Sequence, residues 1–470
     1  MLFNSFEFLI FLPVVFGLYW FLTQRHLKAQ NLLLLVASYV FYGWWDWRFL
    51  GLIALSTIVD FLVGIRIEEA PDKARKKRWL WVSLAVNLGI LGYFKYANFF
   101  IENWISAWHS LGVTMHASTL QVILPVGISF YTFQTLSYSI DIYRGNLKAT
   151  RDPVAFGAFV SFFPQLVAGP IERATNLLPQ ITSPRKFTYE QGRDGMRLIL
   201  WGMFKKVVLA DSCAPYVDMC FDNPEAFSGS TLILGAILFS FQIYGDFSGY
   251  SDIAIGTAKL FGFELMTNFK FPYFSRDIAE FWRRWHISLS TWFRDYLYIP
   301  LGGSRVSKPK AIRNVFVIFL VSGFWHGANW TFIAWGGVHA LLFIPLFLLG
   351  TNRKNTSDVV AEGKWLPSPR ELLQMAWTFT AVTIAWVFFR ANDILHAVTY
   401  LSNWNLTVLP SFKSALPLLM FSVFIEWRMR NSPKLSENRL IRVIFYLTCS
   451  LSILSCYQPN RLSSFIYFQF

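Results

Sequence analysis

Apolar runs recur along nearly the whole chain, and each is close to the length that a lipid bilayer requires. A hydrocarbon core about 30 Å thick is crossed by a helix of roughly 20 apolar residues. Hydrophobic residues make up 54% of the 470 residues, whereas charged residues make up only 15%. We therefore predict an all-α polytopic integral membrane protein rather than a chain of two or three soluble domains.

The runs predict about eleven or twelve transmembrane helices. Residues 153–172 are also apolar, but Pro164, Gly169 and Pro170 interrupt them, which favours a re-entrant segment supported by neighbouring protein over a full span. The predicted spans are residues 6–22, 31–45, 49–65, 79–100, 119–140, 195–212, 231–262, 311–325, 327–349, 371–389, 412–427 and 442–457.

A formal net charge of +14 raises the question of nucleic-acid binding. The lysines and arginines lie mainly in the loops between apolar runs, with six in residues 66–78 and nine in residues 263–313. Membrane proteins concentrate basic residues in this way on the cytoplasmic side. We therefore predict no nucleic-acid partner, and expect membrane lipid headgroups and an anionic cytoplasmic donor to meet these charges.

The same rule orients the remaining loops. Residues 98–118 and the acidic stretch 211–230 contain no Lys or Arg, so we expect them outside, together with the tail 458–470. The first run lacks the basic start of a signal peptide and is read as a retained span. We predict one domain, 1–470, with N-terminal spans in 1–150, a catalytic core in 151–349, and further spans and an aromatic tail in 350–470.

His326 lies in "VSGFWHGANWTF", which otherwise resembles a membrane span. The apolar run before it is only about 15 residues, roughly 22 Å of helix, so we expect His326 inside the membrane and facing a cavity. A histidine can accept the proton of a hydroxyl nucleophile near neutral pH. Asn329 or nearby backbone N–H groups could stabilise an oxyanion. The alternative is a neutral histidine hydrogen-bonded between helices.

A second candidate stretch is "SRDIAEFWRRWHISLSTWFRDYLYIPLGGSR", residues 275–305. Its aromatic and apolar residues recur at helical steps, opposite a polar stripe, which predicts an interfacial amphipathic helix. One interpretation is that this helix anchors the protein at the membrane interface. The other is that it forms a cytoplasmic entrance, where its basic residues bind the phosphates of a nucleotide-bearing donor. The candidate donor-binding residues are Arg283, Arg284, Ser290 and Arg294, with His286 at the entrance.

The stretch "FQIYGDFSGYSDIAIG", residues 241–256, brings Asp246 and Asp252 into an apolar setting. They could form a metal site or an acid–base pair, but we favour structural pairing with arginines of a neighbouring helix. The four cysteines show no metal pattern, and we predict no metal. For Cys213 and Cys220 a disulfide and free, packed thiols both stay open.

Together, "FFPQLVAGPI", "FQIYGDFSGYSDIAIG", "EFWRRWHISLSTWFRDYLYIPLGG" and "SGFWHGANWTFIAWGGVH" resemble the membrane-bound O-acyltransferase family, in its bacterial branch of alginate and peptidoglycan O-acetyltransferases. The resemblance covers nearly the whole chain. It implies a helical bundle around a central tunnel, with His326 as the catalytic histidine and His286 as the family's second histidine. Gly245, Met266 and Thr267 depart from the expected pattern, which affects donor or acceptor specificity more than the histidines.

The resemblance also implies partners and a location. We expect a multi-pass protein of the bacterial inner membrane that uses acetyl-CoA as donor, holds no permanent cofactor, and acetylates a polysaccharide such as alginate or peptidoglycan. An SGNH/esterase-like periplasmic acetyltransferase is the expected partner. In the tail "SSFIYFQF", Tyr467 matches a tyrosine thought to relay the acyl group, with an aromatic interface anchor as the alternative.

Other functions stay open at this point. The donor could be D-alanine on a carrier protein, as in teichoic acid modification, or the acceptor could be a lipid or a protein. A polysaccharide transporter is a further alternative from a different class. Transporters often contain inverted repeats, and this sequence shows none.

Overall fold

The computed structural model describes residues 1–115, 118–120, 122–167, 169–356, 359–403, 405, 415–431, 438–458 and 465–466. These residues form helices joined by loops, and no strand occurs among them. The prediction of an all-α protein is confirmed.

Contacts divide the chain into two compact units. Unit 1 contains Met1–Leu198 and Ala254–Met266, and unit 2 contains Ile199–Ile253 and Thr267–Phe470. Helices α10 and α12, whose bounds follow, contribute residues to both. The predicted single domain and its subdivision at residues 150 and 349 remain predictions.

Unit 1 contains the N-terminal helices. Within it α3, α4 and α6 pack against one another and share a buried polar network, in which Asp60 accepts hydrogen bonds from Ser83, Ser139 and Asn87. Such a network satisfies a carboxylate that would be costly to bury alone. The helices are α1 Phe6–Gly17, α2 Leu27–Asp46, α3 Leu50–Glu69, α4 Lys73–Leu91, α5 Ala97–Ser110, α6 Ile128–Arg144, α7 Pro153–Ser161, α8 Phe163–Leu166, α9 Ala174–Thr182 and α10 Tyr189–Met203.

Unit 2 contains the later helices and, among the described residues, the candidate catalytic and donor-binding residues named above. Several helices continue through a wider, π-helical turn, as at Phe204–Ala210 and Arg294–Tyr298, and such turns are frequent at functional sites. The helices are α11 Asp211–Asp222, α12 Gly229–Leu260, α13 Ile278–Arg284, α14 Ile287–Phe293, α15 Lys308–His326, α16 Trp330–Leu348, α17 Pro369–Arg390, α18 Ile394–Ser402, α19 Ala415–Met429 and α20 Arg439–Cys456.

Six helical stretches of the described chain are long and apolar enough to cross a membrane, which confirms a multi-pass membrane protein. The first joins two of the predicted spans through a short turn, so the stretches and the predicted spans do not correspond one to one. The number of eleven or twelve remains a prediction. The stretches are Leu27–Glu69, Lys73–Ser110, Gly229–Leu260, Trp330–Leu348, Pro369–Arg390 and Arg439–Cys456.

Two span boundaries were wrong. The helix that begins at Lys73 continues, through its π-helical turn, to Ser110 instead of ending near residue 100. The span predicted at 119–140 is helical only from Ile128, because Gly127 takes a left-handed conformation (φ +73°) that starts the helix there. The apolar stretch 153–172 forms the short helices α7 and α8, and every residue from Ala155 to Val167 is buried.

The continuous amphipathic helix predicted for residues 275–305 was also wrong. The chain forms two seven-residue helices, α13 and α14, that are separated at Trp285 and His286. His286 has a left-handed backbone (φ +43°), which no α-helix interior allows. The predicted aromatic face is buried inside unit 2, since Phe281, Trp285 and Leu289 are each 1% exposed.

Candidate active site

His326 is the last residue of α15, and the α15–α16 hairpin fixes its position. The two helices approach closely because each has a glycine at the contact. A Cβ on Gly323 would lie 2.2 Å from the carbonyl oxygen of Phe332, and one on Gly336 would lie 2.2 Å from that of Phe319. Both distances are far below contact, so only glycine permits this approach. His326 is thus held at the end of a tightly packed pair.

Aromatic rings surround the imidazole of His326, which is only 2% exposed. Ring centroids lie 5.0 Å away for Trp325, 5.2 Å for Trp335 and 5.3 Å for Phe389, all in edge-to-face arrangements. This packing leaves the ring little freedom to rotate. The same site holds His286, whose ring centroid lies 6.5 Å from that of His326. The structure therefore brings together the two histidines that the sequence singled out.

His286 is fully buried and is oriented by Asn268. Its Nδ1 lies 3.0 Å from Asn268 Oδ1, which also accepts hydrogen bonds from the hydroxyl (2.9 Å) and the backbone N–H (3.3 Å) of Ser288. Because a backbone N–H can only donate, the shared amide atom must be the oxygen. Nδ1 of a neutral His286 therefore carries the hydrogen, and Nε2 carries the lone pair.

Burial also determines the charge of His286. It lowers the pKa of the imidazole to about 3, because the charged form loses its hydration. The ring is therefore neutral at physiological pH. A neutral Nε2 can accept a hydrogen bond from a hydroxyl, and this is the chemistry that an acceptor substrate offers.

A third histidine, His339 on α16, also lies in this cluster and is fully buried. Its Nδ1 accepts a hydrogen bond from the indole N–H of Trp282 at 3.3 Å, and its ring lies 4.8 Å from that of Trp335. Trp335 thus contacts both His326 and His339. His339 orients Trp282, which in turn forms part of a cavity wall.

A cavity of about 510 Å³ extends along the α15–α16 hairpin. Trp282 and Ser322 line it, and Ser322 lies one helical turn before His326 on the same face of α15. Polar residues from the loops at the opposite end of the hairpin also line it, namely Ser304, Asn352 and Arg353. The cavity therefore runs from a polar, positively charged end toward the histidines, with apolar walls between.

The predicted donor-binding residues are distributed differently from the expected stripe. Ser290 lines the cavity. Arg283 donates to the carbonyls of Asn352 and Asn355, both at 2.9 Å, and so holds the loop that carries Arg353. Arg284 pairs with Glu280 at 2.8 Å, and Arg294 pairs with its neighbour Asp295 at 2.7 Å. A role of these arginines in donor binding stays a prediction.

Two further predictions concern the oxyanion and the acyl relay. Asn329 caps α16 by accepting from the N–H of Thr331 at 3.0 Å, and its amide donates to the carbonyl of Asn392 at 2.8 Å. These contacts give Asn329 a structural role, and its role toward an oxyanion stays a prediction. Tyr467 lies outside the described residues.

Asp246 and Asp252 do pair with neighbouring cations, but the predicted arginines were wrong. Asp246 lies 2.8 Å from Lys206, and Asp252 lies 2.7 Å from Lys205. No local pattern predicts that two lysines, Lys205 and Lys206, are buried in the span that precedes α11. Among the described residues no group of His, Cys, Asp and Glu could hold a metal, and Cys213 and Cys220 are free thiols.

Sequence reasoning missed several residues of the site. Ser322 could have been found, because its spacing from His326 places both on one helical face. His339 ends the motif "SGFWHGANWTFIAWGGVH", and its position in an apolar run is a signal of the same kind as that of His326. Asn268 and Arg353 gave no local signal, since loops bring them to the site from distant parts of the chain.

Comparison with known proteins identifies the family of the chain. Residues 147–357 match the model of the MBOAT, membrane-bound O-acyltransferase family. A protein of Azotobacter vinelandii named "Probable alginate O-acetylase AlgI" is 42% identical over 92% of this chain and 85% of its own length. The "Peptidoglycan O-acetyltransferase" of Helicobacter pylori is 37% identical over 86% of this chain and 79% of its own length.

A more distant relative is the "Teichoic acid D-alanyltransferase" of Bacillus subtilis, which is 30% identical over 58% of this chain and 70% of its own length. The resemblance stated from the motifs and the prediction of an O-acetyltransferase enzyme are confirmed by these similarities. The chain belongs to the membrane-bound O-acyltransferase family.

Proposed function

We propose that the protein transfers an acetyl group from cytoplasmic acetyl-CoA across the bacterial inner membrane to an extracytoplasmic hydroxyl, as a step in the O-acetylation of a polysaccharide. The observation that carries the proposal is the buried His326, which lies one helical turn beyond Ser322 in the wall of a cavity whose opposite end is cationic. The names of the similar proteins support the acyl group and the class of acceptor, since alginate and peptidoglycan both contain polysaccharide chains.

The cavity suggests how the donor binds. Arg353 and the neighbouring polar groups lie where the phosphates of a nucleotide-bearing donor would be bound, since guanidinium groups form strong hydrogen bonds with phosphate. The apolar middle of the cavity suits an uncharged linker. The thioester would then reach Ser322 and Trp282, next to the histidines.

The chemical step is the attack of a hydroxyl oxygen on the thioester carbonyl. His326 takes the hydroxyl proton as the new C–O bond forms. When the C–S bond breaks, the imidazolium returns this proton to the thiolate, so the products are an acetyl ester and a free thiol. His286 takes no proton in this step; its neutral ring, which Asn268 orients, lies 6.5 Å from that of His326 and helps to position the base.

The acceptor that directly receives the acetyl group is Tyr467, a serine of an SGNH/esterase-like periplasmic partner, or a sugar hydroxyl. In each case the final product is an acetylated polysaccharide. A second candidate is transfer of a D-alanyl group from a carrier protein, which is favoured by the similarity to teichoic acid D-alanyltransferases.

Purified full-length protein in lipid nanodiscs tests the donor. We expect thiol release from acetyl-CoA in the presence of alginate oligosaccharides or peptidoglycan fragments, and no turnover of a D-alanyl carrier protein. Turnover of the carrier alone would overturn the proposed donor and support the second candidate.

His326→Ala tests the base. The variant is expressed in a deletion strain, and the rate at which acetyl esters are added to the polysaccharide is measured. We expect this rate to fall by about 10²–10⁴-fold. The matched control is His109→Ala, which changes an exposed histidine at the end of α5 and should leave acetylation unchanged. Full acetylation by the His326 variant at equal protein level would refute the assignment.

A further inference from the structure

Unit 2 holds a second buried polar cluster that the reaction does not use. Lys206 is 1% exposed and Asp246 is 3% exposed, and their charged groups lie 2.8 Å apart. Lys206 also pairs with Asp211 at 2.8 Å. Asp246 lies near the middle of α12, a candidate membrane span. Charges at such a position are costly and commonly have a function.

Two residues of the C-terminal tail, Phe465 and Ile466, lie against this cluster. The backbone N–H of Ile466 donates to Asp246 Oδ2 at 2.6 Å, while Oδ1 faces Lys206. The ring of Phe465 lies 4.5 Å from that of Tyr250 and 5.8 Å from that of Phe247. Phe465 is fully buried and Ile466 is 3% exposed, so this part of the tail is inserted into unit 2.

The two oxygens of Asp246 have separate partners, one from the fold and one from the tail. Lys206 compensates the charge of the carboxylate, and the tail N–H satisfies its second oxygen. Leaving a buried acceptor without its donor is costly, because the acceptor has lost its hydration. Docking of the tail therefore removes a penalty that the ion pair would otherwise carry, and the ion pair favours the docked tail.

The docked tail lies next to the candidate active site. Phe247 follows Asp246 on α12, and its ring contacts Phe465 on one side and His286, at 4.6 Å, on the other. Phe247 thus connects the tail with the histidine that Asn268 orients. In the sequence, the residue after Ile466 is Tyr467.

We propose that the Lys206–Asp246 pair is an anchor that holds the C-terminal tail beside the active site, so that Lys206 and Asp246 are positioning residues. The anchor itself depends only on the contacts above, whereas its effect on acetylation rests on the proposed function. The Lys205–Asp252 pair on the same two helices provides a matched comparison, because the described tail residues Phe465 and Ile466 contact Asp246, Phe247 and Tyr250 instead.

Thiol labelling of the full-length protein tests the docking. Phe465→Cys, in a Cys456→Ser background, places a thiol where the structure is fully buried, and Cys213, Cys220 and Cys449 are buried as well. We expect a membrane-permeant maleimide to react at least tenfold faster when Asp246→Asn is added. The matched Asp252→Asn should change the rate less than twofold. Equal acceleration by both, or by neither, would overturn the anchor.

A second pair of variants keeps the test valid if Asp246→Asn does not fold. Ile466→Pro removes the donor N–H and leaves the ion pair intact, whereas Ile466→Val keeps the N–H. We expect at least tenfold faster labelling with the first and less than a twofold change with the second. Unchanged labelling with Ile466→Pro would contradict the anchor.

Acetylation assays separate this proposal from the proposed function. If the anchor positions the tail for the reaction, Asp246→Asn and Ile466→Pro each lower the acetylation activity. The activity of the double variant is then no lower than that of the less active single variant. If labelling behaves as expected but the unmodified protein transfers no acetyl group, the proposed function fails and the anchor stands. If the protein transfers acetyl groups but labelling does not respond, the anchor fails alone.

Discussion

Two buried polar clusters of unit 2 surround their titratable groups with opposite kinds of neighbours, aromatic rings in one and carboxylates in the other. The histidine cluster, with His286, His326 and His339, is lined by aromatic rings. The lysine cluster compensates Lys205 and Lys206 with carboxylates. Ion pairs fix a geometry but hold their charges in place. A neutral imidazole keeps a lone pair that can take a proton, so the first cluster suits catalysis and the second suits anchoring.

The largest effect on the free energy of unfolding should come from removing Lys206 from the lysine cluster. Lys206→Met leaves Asp211 and Asp246 without their shared cation, and loss of one partner from a buried pair costs about 3–5 kcal/mol. Denaturant unfolding in detergent measures this. Lys205→Met is the matched control and should cost less, because the side chain of Asp252 is 20% exposed and can be hydrated. Equal losses would show that the two pairs do not differ in this way.

A smaller effect, the pH dependence of the free energy of unfolding, should distinguish the histidine cluster from the lysine cluster. The unfolded His286 takes up a proton near its ordinary pKa of 6.5, whereas the folded ring does so only near 3. The unfolded state therefore binds more protons between these values, and stability falls as the pH is lowered through this window. His286→Gln removes this dependence.

Unfolding free energies of the wild type and of His286→Gln at pH 7.5 and 5.5 measure the effect. The free energy of unfolding of the wild type, relative to that of His286→Gln, should decrease by about 1.4 kcal/mol from pH 7.5 to pH 5.5. A constant difference between the two proteins would mean that the buried ring takes up its proton in the same pH range as the unfolded ring, contrary to its neutral role in the proposed mechanism.

The smallest effect should come from a substitution in the cavity wall, at Trp282, and should appear in kcat/KM. Trp282→Phe keeps an aromatic ring but removes the hydrogen bond to His339, which is worth about 1 kcal/mol. We expect a loss of roughly fivefold in kcat/KM for acetyl-CoA, mainly through KM, because the substitution alters the donor cavity and not the base. A loss confined to kcat would instead place Trp282 in the chemical step.

Much of the fold was predictable because apolar length is a local property. The helices of the α15–α16 hairpin and the long α12 followed from their composition alone. The helix predicted across residues 275–305 was wrong because its periodicity could not reveal the left-handed turn at His286, which is stabilised by contacts with Asn268.

Part of the candidate site was predictable as well. His326 was singled out because an ionisable residue in an apolar run is rare, and His286 because it lies in the polar stripe of residues 275–305; the resemblance to a family predicted their roles. The lysine partners of Asp246 and Asp252 were missed, since pairing depends on which helices become neighbours. Arg353 was missed for the same reason, because its loop comes to the cavity from the far end of α16.

By itself, the sequence determined that this chain is a helical membrane protein with a histidine placed where a charge is costly, because length and polarity act on each segment separately. Only the tertiary structure decided which groups meet: that Asn268 sets the tautomer of His286, that the rings of His286 and His326 lie 6.5 Å apart, and that Asp246 binds the backbone of Ile466. Such contacts depend on the packing of helices that are distant in sequence, and no local pattern encodes them.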